Sequence, residues 1–159
     1  MNKILNVKNF YIIIFLLSIF SLSSAIYIEY ALSINPCMLC LYQRIPYIVA
    51  IFLCLFGYLN LKKTLWIYLL TFNFLLSLIL SGYHVGVENN IFPEFSGCTA
   101  NNLNIIDKEE LIKSLGEKLP NCKDVNFTLI GLSLATINLF ISLIISITGI
   151  LVIKNEKNR

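Results

Sequence analysis

Four stretches of this chain hold no Lys, Arg, Asp or Glu: residues 10–28, 45–61, 65–83 and 127–153. Each is a continuous apolar run and not an alternating one, the pattern of a helix and not of a barrel strand. About 20 apolar residues in a helix cross the ~30 Å hydrocarbon layer of a bilayer. The first and third runs fit that length. The second, at 17 residues, is short enough for its ends to lie in the interface, and the fourth is long enough to require tilt or projection. Composition points the same way. The 159 residues are 57% hydrophobic and 13% charged, with a mean hydropathy of +0.78. Charged residues make up ~25% of a typical soluble domain. A soluble globule of this size has too much surface for its volume to hide so much apolar area. A soluble domain, a disordered tail and a nucleic-acid-binding protein are excluded. The expected fold is all-α, an integral membrane four-helix bundle forming a single membrane domain over residues 1–159.

The basic residues orient it. Lys3, Lys8, Lys62, Lys63, Lys154, Lys157 and Arg159 lie in three short segments that hold one acid, Glu156. Arg44, Lys108, Lys113, Lys118 and Lys123 share the two remaining loops with eight acids. Cytoplasmic segments carry the Lys and Arg excess. Both termini and the Lys62–Lys63 turn are therefore expected in the cytoplasm, with loops 29–44 and 84–126 facing outward. Lys3, Lys8 and the triplet Ser23-Ser24-Ala25 also permit a cleaved signal peptide. Apolar and aromatic residues continue to Tyr30, which favours retention of the span. In the long loop, Asp107-Lys-Glu-Glu110 reads as a capping box. Leu111, Ile112, Leu115 and Leu119 then share one helical face before Pro120, predicting a short amphipathic helix on the membrane surface or on the end of the bundle.

Chemistry is concentrated in the cysteines. Cys37-Met-Leu-Cys40 occupies the short outer loop, Cys98 and Cys122 the long one, and Cys54 the second span. Disulfides persist outside the cytoplasm, and two cysteines per outer loop suggest two pairs. A disulfide across C-x-x-C closes a very small ring and is readily reduced, which suits redox turnover better than stapling. Pro46 suits the first turn of a helix beginning there. Cys40 is then expected just outside a positive helix end with the Arg44 guanidinium nearby, which favours a thiolate. An inert disulfide pinning the loop is the bland alternative. Zinc held by two knuckles is disfavoured, because Cys98 and Cys122 are 24 positions apart and the compartment oxidises thiols. No metal is expected. Cys54 reads as a packing residue, Arg44 otherwise as a snorkelling anchor, and the outer tyrosines as an aromatic belt. Glu29 has no assigned role.

Asn35-Pro36-Cys37-Met-Leu-Cys40-Leu-Tyr-Gln43-Arg44-Ile-Pro46-Tyr47 resembles the signature of the bacterial disulfide bond formation protein B family (DsbB, with its DsbI relatives). Gly82-Tyr83-His84-Val-Gly86-Val-Glu88 is similar to a second family motif, and Gly131-Leu-Ser-Leu-Ala135 with Asn138 to a third. The resemblance extends from the first span to the fourth. It implies a protein-disulfide oxidoreductase (thiol:quinone) of the bacterial inner membrane with its active site in the periplasm. Such a protein reoxidises a periplasmic thioredoxin-like thiol oxidase (DsbA-like) and passes the electrons to membrane quinone, a relay that keeps the periplasm oxidising. By the family pattern, the partner attacks Cys98, Cys122 completes the loop disulfide, and electrons pass to Cys37–Cys40. Cys40 then faces the quinone, with Arg44 near the ring and His84 at a position close to it. Ubiquinone is favoured by the resemblance, with menaquinone the alternative. The expected partners are that oxidase, the quinone and the lipid bilayer, with no nucleic acid.

Two other readings compete. Vitamin K epoxide reductases also combine four spans with a C-x-x-C, but there the loop cysteines precede the motif and here they follow it. A non-enzymatic four-span protein with structural disulfides would tolerate loss of Arg44.

Overall fold

The computed structural model describes residues 6–60, 64–93, 122–123, 127–129 and 131–158. Helix α1 is Val7–Ala31, α2 Met38–Tyr42, α3 Ile45–Leu59, α4 Leu65–Glu88 and α5 Leu134–Lys157. A two-stranded antiparallel hairpin, β1 (Thr128–Leu129) with β2 (Leu132–Ser133), precedes α5. Four segments are long and apolar enough to cross a membrane: α1, α2 with α3 (Met38–Leu59), α4 and α5. They form an all-α four-helix membrane bundle.

Local chemistry sets the helix ends. Asn6 caps α1 by accepting from the Lys8 N–H, and Ser133 caps α5 by accepting from the Thr136 N–H. Pro46 lies in the first turn of α3, where a missing N–H costs nothing. Lys154 and Lys157 sit in the last turn of α5, against its negative end.

Three element boundaries differ from the sequence reading. A separate short helix, α2, precedes α3, so Cys37 occupies a helix N-terminus and Cys40 lies within a helix. Helix α4 does not stop at Tyr83 but runs through His84 to Glu88, because nothing breaks it before Asn89 and Asn90. Asn90 takes the left-handed conformation (φ 57°) and the Ile91 N–H turns back to the Gly86 carbonyl at 2.8 Å. Phe92 then stacks on Tyr83, over Gly86, where any Cβ would overlap its ring. The fourth apolar run is not helical from Phe127, because Gly131 turns the hairpin at φ +78° and Ser133 starts the helix one residue later. The expected amphipathic helix over 107–120 lies outside the described residues.

Helix α4 packs against α5 and α3, and α1 packs against α3. Small residues permit these approaches, as is usual between helices in lipid. Gly57 of α3 lies against the Tyr11 ring of α1, and Gly149 of α5 against the Thr71 side chain of α4. Phe10, Tyr11, Ala50, Cys54, Leu70, Phe74, Ile145 and Val152 are buried in one core drawn from all four long segments. A polar seam runs through it. The Tyr47 hydroxyl donates to Asn138 Oδ1 at 2.5 Å, and Ser77 and Ser142 share a hydrogen bond of 2.9 Å. On the outside, Phe20, Leu59 and Ile79 are among the most exposed side chains, a surface suited to hydrocarbon and not to water.

Candidate active site

Four helix ends meet at one end of the bundle: the C-termini of α1 and α4 and the N-termini of α3 and α5. Helix α2 lies at that end, and its first turn builds the site. Cys37 is its N-cap, and the Cys40 N–H donates to Cys37 Sγ at 3.2 Å. The C-x-x-C spacing brings both side chains to the same side of that turn, with the sulfurs 2.7 Å apart. Both cysteines are free thiols.

Because α4 continues past Tyr83, His84 is carried under the pair. Its ring is 2% exposed, with Nε2 at 3.6 Å from Cys37 Sγ and 3.8 Å from Glu88 Oε1 one turn along. On its other side, Nδ1 is 3.0 Å from Gln43 Nε2. An amide nitrogen only donates, so Nδ1 accepts and the ring proton belongs on Nε2, directed at the thiol and the carboxylate. Ser133 completes the chain by donating to Glu88 Oε2 at 2.6 Å, tying the hairpin to α4.

This arrangement favours charge on Cys37. The Cys40 thiol hydrogen-bonds to it, burial opposes ionisation, and His84 and the Cys40 N–H add further stabilisation. The net result holds Cys37 well below the ordinary thiol range. As the sequence reading has it, α3 begins at Ile45, shortly after Cys40. The structure adds that Cys37 caps a separate helix, α2, and that Arg44 pairs with Glu29 across to α1, Nη1 to Oε2 at 2.6 Å.

Cys122 is disulfide-bonded and 1% exposed. It packs in one buried cluster with Cys37, Leu39 and Val87, against which Cys40, Leu80 and Tyr83 also lie. Cys98 lies outside the described residues. Cys54 is buried in the other core cluster, with Tyr11 and Leu70.

Of the residues singled out from sequence, Cys37, Cys40, His84 and Cys122 come together, and Arg44 stands on the turn that joins α2 to α3. Sequence reasoning gave no role to Gln43, Glu88, Glu29 or Ser133. Two of these had a readable signal. Gln43 stands between Cys40 and Arg44 in the first motif, and Glu88 is four residues from His84, one helical turn. Glu29 and Ser133 reach their partners only through the tertiary fold. Chemically, the site offers a dithiol with one acidified sulfur, an imidazole N–H beside it, and a disulfide-bonded cysteine in the same buried cluster as Cys37.

The family model for disulfide bond formation protein DsbB matches residues 7–152. An uncharacterized protein of Rickettsia prowazekii (strain Madrid E) is 29% identical over 167 residues, covering 99% of this chain and 91% of the relative.

Proposed function

Because the chain belongs to the disulfide bond formation protein DsbB family, we propose that it reoxidises a periplasmic thioredoxin-like thiol oxidase (DsbA-like) and passes the two electrons to membrane quinone. The observation that carries this reading is the free Cys37–Cys40 dithiol sharing a buried cluster with disulfide-bonded Cys122. A protein with purely structural disulfides has no use for an acidified free dithiol packed against a disulfide-bonded cysteine.

The steps balance as two exchanges and one oxidation. A partner thiolate attacks Cys98, breaking its bond to Cys122 and forming a mixed disulfide. The partner's second thiol resolves that bond, leaving the partner oxidised and Cys98 and Cys122 reduced. These two then reduce the Cys37–Cys40 disulfide by a second pair of exchanges. The shared buried cluster of Cys122 and Cys37 supports direct transfer between the pairs. The Cys37–Cys40 dithiol finally returns to the disulfide, losing two electrons and two protons. Quinone supplies the matching chemistry, taking up both electrons and both protons and leaving as quinol.

The residues at this end of the bundle fit a lipid-soluble ring. Cys40 is the more exposed of the two residues, and the neighbouring Met38, Leu41 and Tyr42 are exposed apolar side chains. Arg44 supplies a fixed cation, held in place by Glu29. In this reading Arg44 binds beside the quinone, Cys40 faces it, and Cys37 holds the thiolate. The His84 Nε2–H faces the Cys37 thiolate and stabilises its charge, while Gln43 holds Nδ1 and Glu88 stands beside the ring. The positive-inside pattern supports cytoplasmic termini and a periplasmic site in the inner membrane.

The test is quinone absorbance over time, with purified protein in detergent and a reduced thioredoxin-like oxidase. Ubiquinone and menaquinone are supplied in separate runs. Catalytic quinone loss that disappears in Cys40→Ala is the expected result. No loss with either quinone, beside a competent homologous relay, would overturn the reading in favour of inert cysteines.

A further inference from the structure

The same three side chains that serve thiol chemistry also make a ligand set. Cys37 Sγ, Cys40 Sγ and a His84 ring nitrogen all lie within 4.8 Å of one another. We propose that the reduced site is a binding site for a thiophilic d10 cation of the Zn2+ type, held by Cys37, Cys40 and His84. The inference rests on the dithiol geometry alone and not on the electron relay.

The distances fit with one small adjustment. Zn–S bonds of about 2.3 Å and a Zn–N bond of about 2.0 Å put sulfur and nitrogen about 3.5 Å apart on a tetrahedral ion. Cys37 Sγ and His84 Nε2 are separated by 3.6 Å. Two thiolates on the same ion stand about 3.8 Å apart, so the sulfurs must open from 2.7 Å. Rotation of the partly exposed Cys40 side chain supplies that change and also opens the route inward. The donor set is right for the class: two soft thiolates and one imidazole suit zinc or copper(I) and not magnesium or calcium. Gln43 on Nδ1 orients the ring, as outer partners of ligating histidines commonly do. Ligation then takes Nε2 as a lone-pair donor, so the ring proton must move to Nδ1 and the Gln43 amide must turn its oxygen toward it. With Cys37 already a thiolate, one S–H bond breaks, that of Cys40, two metal–sulfur bonds form, and one thiol proton leaves to solvent. No electrons move. The fourth position remains open beside Glu88, for water or a small anion. This site differs from the two-knuckle zinc site that the spacing of Cys98 and Cys122 argues against, because its third ligand comes from α4.

Binding is tied to redox state. The disulfide offers no thiolate, so the cation binds the dithiol only and holds it reduced. Under the proposed function, zinc would stall turnover by trapping the site before oxidation.

Co2+ is the probe, because cysteine ligation gives it visible absorption that Zn2+ then displaces. The full chain carrying Cys54→Ser, Cys98→Ser and Cys122→Ser is reduced with a phosphine, in detergent and without oxygen, leaving Cys37 and Cys40 as the sole thiols. One equivalent of Co2+ per chain, displaced by Zn2+ and lost on oxidation of the pair, is expected. His84→Ala should weaken Zn2+ binding at least about tenfold. His84→Cys should restore binding and intensify the sulfur charge-transfer band, and circular dichroism establishes that each variant keeps its helices. Absence of any cobalt band in the folded triple variant would overturn the proposal. So would a band indifferent to both His84 substitutions, which would mark mere dithiol chelation. If the triple variant unfolds, the wild-type chain is titrated with its loop disulfide intact, and the same two outcomes decide.

Discussion

Acidification of Cys37 is a testable property of single side chains. A folded-state pKa below the unfolded one means that the thiolate stabilises the reduced protein above the ordinary thiol value, ~8.5, and that this contribution fades as pH falls through Cys37's own lowered value. The ultraviolet absorbance of the thiolate, taken as the difference between the reduced protein and Cys37→Ser, should therefore persist below neutral pH. The Cys40 thiol is the largest cause of the shift and His84 a smaller one. Cys40→Ala should accordingly raise the titration midpoint further than His84→Ala; the reverse order would mean that the imidazole governs the site. Glu29 makes a different case. Its ion pair with Arg44 is about a quarter exposed on each side, and such pairs contribute less than ~1 kcal/mol. Glu29→Gln should leave thermal unfolding nearly unchanged and raise the quinone KM several-fold, since Arg44 would lose its tether. Cys37, Cys40 and Arg44 were legible from one motif because local spacing creates their relation. Glu29 was not, because 15 positions of chain lie between it and Arg44 and no local pattern records a contact between different helices.

At the scale of elements, the helices are held together by what is missing as much as by what is present. A Cβ on Gly149 would meet Thr71 Oγ1 at 2.5 Å, and one on Gly57 would meet the Tyr11 ring at 2.6 Å. Overpacking of this kind costs about 1–3 kcal/mol. Gly149→Ala should lower stability by that order, read as earlier unfolding in a denaturing-detergent titration. Adding Thr71→Ala removes the offending atoms and should recover most of the loss, whereas purely additive effects would show that the two helices do not meet here. The four long apolar segments were legible because hydrocarbon imposes one rule along the whole chain. Their ends were less so. His84 looked like a loop residue because the apolar run ends at Tyr83, yet backbone hydrogen bonds carried the helix to the first left-handed residue, Asn90. Gly131 and Ser133 held the signal for the hairpin and the start of α5, but an unbroken apolar run masked it.

The whole molecule is asymmetric in charge, and its topology follows. A fluorescent reporter fused after Arg159 should fold and fluoresce in the cytoplasm, while an alkaline phosphatase fused at the same point should stay inactive; the opposite pair of results would invert the bundle. Deleting α1 should be harmful for a structural reason. Phe10, Tyr11 and Ile14 are buried in the core and α1 packs on α3, so loss of that helix would expose one side of α3 and remove Glu29 from Arg44. One further consequence lies in the length of α3. Its 15 residues span only about 22 Å at 1.5 Å per residue, well under the ~30 Å of an average hydrocarbon layer. Counted together with α2, across the turn at Gln43 and Arg44, the segment Met38–Leu59 has 22 residues and is long enough to cross. Lipid tails must therefore rise alongside the very turn that bears Cys37 and Cys40. Under the proposed function, membrane thickness then becomes a setting for the chemistry: short-chain lipids should leave the thiols at the headgroups, in contact with water, and long-chain lipids should bring them within the layer where a hydrophobic electron acceptor dissolves.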